Sequence, residues 1–260
     1  MPENTDPEFR PQPAAFASLS IVSHGQIGMV QNLLADVAEH VTVPVEVLLT
    51  YNLAEPEIDR GAYPFPMRLL SNPRPRGFGA NHNAAFRESQ GDCFFVVNPD
   101  VRLRSDPFPA LIEQLCNDAI GVVAPRVINA AGALEDSARR FPTPASIFLK
   151  AIGWRRAGDP DYAIEQSPID VDWVAGMFMG FRRSVFAEVA GFDEGYFLYY
   201  EDVDLCARLR AAGYRIRFDP RATVLHEAQR ASHRKLRYFY WHMRSMARYF
   251  LTTGRSAARR

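Results

Sequence analysis

Five consecutive apolar residues, Cys93-Phe94-Phe95-Val96-Val97, stand between Asp92 and the turn-forming triplet Asn98-Pro99-Asp100. A strand that is apolar at every position has to be covered on both faces, which is the situation of a strand inside a parallel sheet flanked by helices. The segments before it agree. Ser18–Ser23 reads as a first strand, Val43–Thr50 as a second and Met67–Leu70 as a short third. Between them, Ile27–His40 has helical apolar spacing through Val30, Leu33, Leu34 and Val37, and Ala80–Glu88 reads as another helix. Strands alternating with helices predict an α/β fold with a mixed, mostly parallel central sheet flanked by helices.

The second half continues the pattern less regularly. Phe108–Cys116 predicts a helix, Ile120–Ala124 a strand, Asp172–Phe181 a strand and Arg183–Val189 a helix. A helix over Glu201–Ala212 ends at Gly213, a suitable C-terminal cap. Short strands over Arg215–Phe218 and Thr223–Leu225 are expected around Asp219-Pro220. A chain of 260 residues with 47% hydrophobic content can bury a sizeable core. No run of 18 apolar residues occurs, so no transmembrane helix is expected. The first residues, MPENTDPEFRPQPAAF, are polar and proline-rich, and residues 1–16 read as disordered, without the basic start and apolar stretch of a signal peptide. Cys93, Cys116 and Cys206 are odd in number and widely spaced, which fits reduced thiols in a cytoplasmic protein.

A net charge of zero conceals an asymmetry. Residues 228–260 contain no acid and nine Lys or Arg, so the first 227 residues sum to minus nine. Tyr238, Phe239, Tyr240, Trp241, Tyr249 and Phe250 lie among these basic residues. Such a segment either packs on the domain through its aromatics as a solvated last helix or lies peripherally on an anionic membrane. No nucleic-acid partner is expected.

In an open α/β sheet, ligands sit beyond the carboxyl ends of the strands. Ser23, His24, Asn52 and Asp100 all stand at such ends. Asp100 is either part of a plain turn or a ligand for a divalent cation that also binds phosphate oxygens. The stretch RGFGANHN matches only the first two glycines of a dinucleotide fingerprint, with His82 in the third place, which argues against a hydride-transfer domain. Glu201, Asp202 and Asp204 open a helix directly after an aromatic run from Tyr196 to Tyr200. Carboxylates are favoured at a helix start, and one in a partly desolvated pocket can act as a general base. Asp202 and Asp204 diverge around a helix, so one can pair with Arg208 while another is left for chemistry.

Taken in order, the first strand with Ser23-His24, GFGANHNAA, VNPDV, WVAGMFMGFRRSVFAEVAGFDE, FLYYEDVDLCARLRAAGY and VLH resemble family 2 glycosyltransferases of the GT-A fold, in their rhamnosyltransferase-like branch. The resemblance covers roughly residues 17–250. It implies a Rossmann-like nucleotide-binding half and an acceptor-binding half in a domain over 17–227, followed by a basic aromatic helix or tail over 228–260. By the same resemblance, Ser23, His24 and Asn52 line the base and ribose pocket, and Gly77, Asn81 and His82 border the ribose and diphosphate. Asp100 and His226 meet Mg²⁺ or Mn²⁺ on the diphosphate. Trp173, Ala175, Gly176 and Glu201 border the sugar and acceptor, and Asp202 is the catalytic base. Residues 129–166 then read as an acceptor-side insertion or a flexible lid.

The implied partners are a nucleotide-diphosphate sugar, with rhamnose as the best guess, and a saccharide or lipid-linked acceptor of cell-surface polysaccharide synthesis. The implied mechanism is inverting. Two departures stand out: Asn98 where many relatives carry the first Asp of a DxD motif, and Asn52 where many carry an acid. Either could also mark a catalytically degenerate nucleotide-sugar-binding or membrane-associated protein. A sugar-nucleotide nucleotidyltransferase is disfavoured, because SHGQIGMV after the first strand has no basic residue.

Overall fold

The computed structural model describes residues 16–151, 161–227 and 235–257. In chain order the elements are β1 (Ala17–Ser23), α1 (Ile27–His40), β2 (Val45–Tyr51), β3 (Met67–Ser71), α2 (Phe78–Glu88), β4 (Cys93–Val97), β5 (Val101–Arg102), α3 (Phe108–Leu115), β6 (Ile120–Ile128), β7 (Ala138–Arg139), α4 (Pro144–Ala151), β8 (Ile169–Val171), β9 (Trp173–Val174), β10 (Phe178–Arg182), α5 (Arg183–Glu188), α6 (Glu201–Ala211), β11 (Arg215–His226) and α7 (Lys235–Ala257). The large sheet runs β3-β2-β1-β4-β10-β6-β11-β5, with β8 added on β11. Strands β3, β2, β1 and β4 are parallel, β10 is antiparallel to β4 and β6, and β11 is parallel to β6. Strands β7 and β9 make a separate antiparallel pair.

Every residue of β2 and β4 is buried, as continuous apolar strands require. The pleat divides β4 between two cores. Cys93, Phe95 and Val97 join α1 and α3 through Leu33 and Phe108, while Phe94 and Val96 join α5 and α6 through Phe186 and Leu205. Helix α1 buries Val30, Leu33, Leu34 and Val37, the four residues whose spacing predicts it.

The expected strand Asp172–Phe181 is two strands, β9 and β10, in different sheets. Backbone groups between them leave the ladder: the Gly176 N–H donates to Asp202, and the Met177 carbonyl accepts from the Asn98 N–H at 2.9 Å. The two short strands expected after Gly213 are one, β11, with an irregular register between Asp219 and Thr223. The fully buried Asp219 carboxylate there is satisfied by the backbone and guanidinium of Arg221. Helix α2 starts at Phe78, two residues before the expected start. The stretch 129–166 holds β7 and α4, and residues 152–160 lie outside the described residues. The expected disordered segment 1–16 also lies outside them, except Phe16, whose carbonyl accepts from the Asp92 and Cys93 N–H groups.

One ion pair locates the end of β4. The Asp36 carboxylate on α1, itself buried, takes Arg102 Nε at 2.6 Å, Arg102 Nη2 at 2.8 Å and the Leu103 N–H at 2.9 Å. It therefore holds β5, the strand that follows Asp100. Removing Asp36 leaves the half-buried Arg102 without its partner and the buried Leu103 N–H without its acceptor. Asp36→Ala is expected to cost roughly 3 kcal/mol, seen as a lower urea midpoint with unchanged slope. A loss below about 1 kcal/mol would mean that the pair is no more than a surface contact.

Candidate active site

The acidic residues of α6 enter through strained backbone. Tyr199 and Tyr200 adopt left-handed φ of 70° and 67°, a conformation costly for bulky side chains. Directly after them, Asp202 Oδ2 accepts the Gly176 N–H at 3.0 Å and Oδ1 accepts the Val203 N–H at 2.8 Å. A Cβ at Gly176 would come within 3.2 Å of the Phe78 ring, so the packing of this backbone against Phe78 favours glycine. The carboxylate opens on a cleft of about 550 Å³ lined by Arg139, Trp173, Tyr200, Glu201 and Asp202, with His242 of α7 among the other wall residues.

The pair β7–β9 builds the opposite wall. The Ala175 N–H donates to the Ser137 carbonyl, and Trp173 Nε1 donates to the Arg140 carbonyl at 2.9 Å. The Arg139 guanidinium, paired with Asp136, lies 5.7 Å over the Trp173 ring. Trp173 and Glu201 face the cleft, whereas Ala175 and Gly176 act from behind it through their backbone.

The three acids of α6 have three environments. Burial pushes the Asp202 pKa up, against the Gly176 and Val203 N–H groups and the Arg139 charge, which lower it. Burial and then the neighbouring Asp202 charge drive Glu201 well above the usual carboxylate range, and its Oε2 is buried without a partner. Asp204 pairs with Arg208 Nε at 2.8 Å, the helical pairing expected from their spacing.

The second acidic site forms where β11 ends beside β5. Register places His226 opposite Val101. His226 Nε2 lies 3.2 Å from Asp100 Oδ2, and its Nδ1 lies 2.7 Å from Glu135 Oε2. Burial would lower the His226 pKa, but the hydrogen bonds and charges of Asp100 and Glu135 outweigh it and raise it. Asp100 Oδ1 is buried without a partner. The segment 175–177 connects this site to Asp202, because the Met177 carbonyl holds Asn98 while the Gly176 N–H holds the Asp202 carboxylate.

At the ends of β1 and β2 the polar residues form a scaffold. Ser23 Oγ donates to Glu55 Oε2 at 2.8 Å, and the Gly25 N–H donates to Glu55 Oε1, which shapes the His24 turn. Asn52 accepts from the Arg76 N–H and the Asn72 amide and donates to the Arg76 carbonyl and His24 Nδ1. Asn81 accepts from Asn72 at 2.6 Å and also donates to the Arg76 carbonyl. These amides clamp the glycine loop.

Gly77 and His82 depart from expectation. Gly77 is buried, and a Cβ there would meet the Phe197 carbonyl at 2.8 Å, so its immediate reason is close packing. His82 is a core group: its Nδ1 bonds Ser20 Oγ at 2.8 Å, its ring packs on Phe78, and burial lowers its pKa to about 3. A neutral, buried ring offers no positive charge to a diphosphate.

Helix α7 braces the strained segment. Ser245 Oγ donates to the Leu198 carbonyl, His242 packs against both Tyr199 and Tyr200, and Trp241 lies on Phe197. Arg248 pairs with Asp193 at 2.7 Å and lies over Tyr196.

Residues 50–190 match the model of glycosyl transferase family 2, and 161–255 match that of glycosyl transferase family group 2. The rhamnosyltransferase WbbL of Escherichia coli K12 is 33% identical over 184 residues, covering 66% of this chain and 69% of the relative. The chain belongs to glycosyltransferase family 2. An N-acetylglucosaminyl-diphospho-decaprenol L-rhamnosyltransferase of Mycobacterium tuberculosis is 32% identical over 219 residues, covering 75% of this chain and 71% of the relative. In fold, this glycosyltransferase is similar to GalNAc-T7 solved with UDP, GalNAc and Mn²⁺ (TM-score 0.64, 15% identity, 83% of this chain and 44% of that one). It is also similar to the mannosyltransferase PcManGT of Pyrobaculum calidifontis with GDP-Man and Mn²⁺ (TM-score 0.60, 15% identity, 87% and 61%). The GT-A fold and the rhamnosyltransferase-like resemblance expected from its motifs therefore hold.

Glu135, Glu55, Asn72, Arg139 and His242 contact or line the candidate site of this glycosyltransferase, and sequence reasoning missed them. None sits in a motif, and each arrives through a tertiary contact. Glu201 yields a pH-dependent prediction. Its raised pKa means that the folded state keeps a proton the unfolded chain has lost, so stability falls as pH rises from the ordinary carboxylate range through the folded value. Glu201→Gln is expected to raise the melting midpoint at pH 8 and to change it little near pH 4, with about 2–4 °C for each kcal/mol in a chain of this size. Equal shifts at both pH values would show that no costly ionisation is buried at this position.

Proposed function

We propose that this glycosyltransferase moves a sugar from a nucleotide-diphosphate donor to a hydroxyl of a saccharide or lipid-linked acceptor, with inversion at the anomeric carbon. The observation that carries this is Asp202: a carboxylate held by two backbone N–H groups in the wall of a cleft, and tied through residues 175–177 to Asp100 and His226. Its two bonded oxygens fix the orientation, and its raised pKa makes it a stronger base than an exposed carboxylate.

The acceptor hydroxyl gives its proton to Asp202 as its oxygen bonds the anomeric carbon. The bond from that carbon to the diphosphate oxygen breaks, and its electron pair leaves with the nucleoside diphosphate. Rhamnose is the proposed sugar, on the names of the two relatives. Trp173 and Glu201 border the sugar and acceptor in the cleft. Ser23, His24, Asn52, Gly77 and Asn81 shape the nucleotide side, most of them by holding backbone. The chain serves cell-surface polysaccharide synthesis from the cytoplasmic side of the membrane.

The residues at Asp100 fit a divalent cation in part. Asp100 offers an unpartnered buried oxygen, and His226 stands beside it. Among the described residues no group of three or more His, Cys, Asp or Glu is set to hold a metal alone, so donor oxygens would complete the shell. His226 could ligate only through an unprotonated Nε2, so cation binding and an Nε2 proton facing Asp100 exclude each other, whereas the Nδ1 contact with Glu135 can persist. Mg²⁺ or Mn²⁺ held by Asp100 and His226 would neutralise the charge of the leaving diphosphate.

The first test is a thermal-shift screen of nucleotide sugars with and without Mn²⁺, since a ligand specific for the folded state raises the midpoint. A metal-dependent shift with one donor is expected, with its metal dependence lost in Asp100→Asn. No shift with any donor from folded protein would overturn the assignment. Asp202→Asn is expected to keep the donor shift and to lower transfer by roughly 10²–10⁴-fold, measured as nucleoside diphosphate release. Wild-type transfer in that variant would remove Asp202 from the role of base.

A further inference from the structure

Helix α7 has two faces of opposite character. The inner one packs Ser245 and Tyr249, both buried, against the segment that leads into α6. The outer one carries Leu236, Phe239, Tyr240, Met243 and Leu251 at helical spacing, with exposures of 87%, 64%, 59%, 41% and 67%. Ala247, also exposed, continues the stripe. From Leu236 to Leu251 it runs about 22 Å along the helix axis at 1.5 Å per residue. Among the described residues nothing covers it. Isolated exposed apolar residues are ordinary, but a continuous stripe along one helix marks an interaction surface.

The charge beside it is of one sign. Arg237 and Arg244 are exposed along one flank, and the whole segment 228–260 has nine basic residues and no acid. Arg237 also lies over the Trp241 ring. Helix α4 contributes Phe148, which is 64% exposed. It follows Ser146 and Ile147, which line the same cleft as His242 and Met246 of α7. The mouth of the cleft is thus bordered by two helices that both present apolar side chains to the outside.

We infer that the outer face of α7, together with Phe148, docks on an anionic lipid bilayer and sets the mouth of the cleft at headgroup level. A helix with an apolar stripe and cationic flanks lies in the interface plane, the stripe entering the acyl boundary and the arginines meeting lipid phosphates. It does not span: no helix among the described residues is long and apolar enough to cross a membrane. Two copies paired through the same stripe would bring their arginine flanks together, a like-charge contact that a bilayer replaces with attraction. Delivery of a lipid-linked acceptor into the cleft rests on the proposed transferase activity, whereas docking itself does not.

The test is co-sedimentation of the full chain with vesicles of phosphatidylcholine alone and of phosphatidylcholine with phosphatidylglycerol, at physiological salt. The wild type is expected to pellet with the anionic vesicles and roughly tenfold less with the neutral ones. The double variant Leu236→Glu with Phe239→Glu is expected to stay in the supernatant, losing tenfold or more, roughly the effect of no longer burying two large apolar side chains. Both positions are exposed, so the variant should keep the wild-type melting midpoint and any nucleotide-sugar shift. Equal pelleting of variant and wild type would overturn the proposal. So would no pelleting of the wild type, or a concentration-dependent dimer abolished by the variant without vesicle binding. Absence of any nucleotide-sugar shift would overturn the transferase activity and leave the vesicle result standing, so the two failures are distinguishable.

Discussion

Three residues of backbone, 175–177, hold the two acidic sites in register. The Gly176 N–H fixes Asp202, the Met177 carbonyl fixes Asn98 two residues before Asp100, and the Ala175 N–H fixes Ser137. These are groups that a continuous strand would have spent on its own ladder. Because β9 and β10 belong to different sheets, the segment between them is free to bond across the cleft instead. A carboxylate positioned by main-chain donors moves only if the main chain moves, which gives Asp202 a fixed orientation in the cleft.

The site is held at a cost to stability. Glu201 and Asp202 are adjacent carboxyls, the first buried and the second half-buried in the cleft wall, and they follow two tyrosines in left-handed backbone. Left alone, this stretch would relax by turning its acids to water. It is held by α7, whose Ser245, His242 and Trp241 seize Leu198, the two tyrosines and Phe197 from outside. Strain kept at a site by surrounding contacts is the usual arrangement where geometry matters more than stability. It also means that the element presenting the apolar stripe to the exterior is the one supporting the strained segment before Asp202.

Much of the fold was readable in the chain because it follows from local patterns. The unbroken apolar run of Cys93–Val97 demanded cover on two faces, and the spacing of Val30, Leu33, Leu34 and Val37 fixed the face that α1 buries. The pairing of Asp204 with Arg208 follows from helical geometry alone. What failed did so where a long-range contact overrode the local pattern. The segment Asp172–Phe181 looks like one strand until Asn98 and Asp202 claim its middle. His82 looks like a ligand-facing residue beside a glycine loop, but α2 turns it onto Ser20 beneath the sheet.

By itself, the sequence determined that this chain builds a helix-flanked, mostly parallel sheet, that polar residues collect at its strand ends, and that its last segment is basic and aromatic. Those properties depend on residues close in sequence, whose periodicity and charge are present before folding. Only the tertiary structure decided that Glu135 meets His226, that Glu55 shapes the Ser23 turn, and that α7 closes on Tyr199 and Tyr200. These contacts join residues tens of positions apart. Which of the many polar side chains end up facing one another depends on how β11, β7 and α7 are laid against the sheet, and no local pattern encodes that placement.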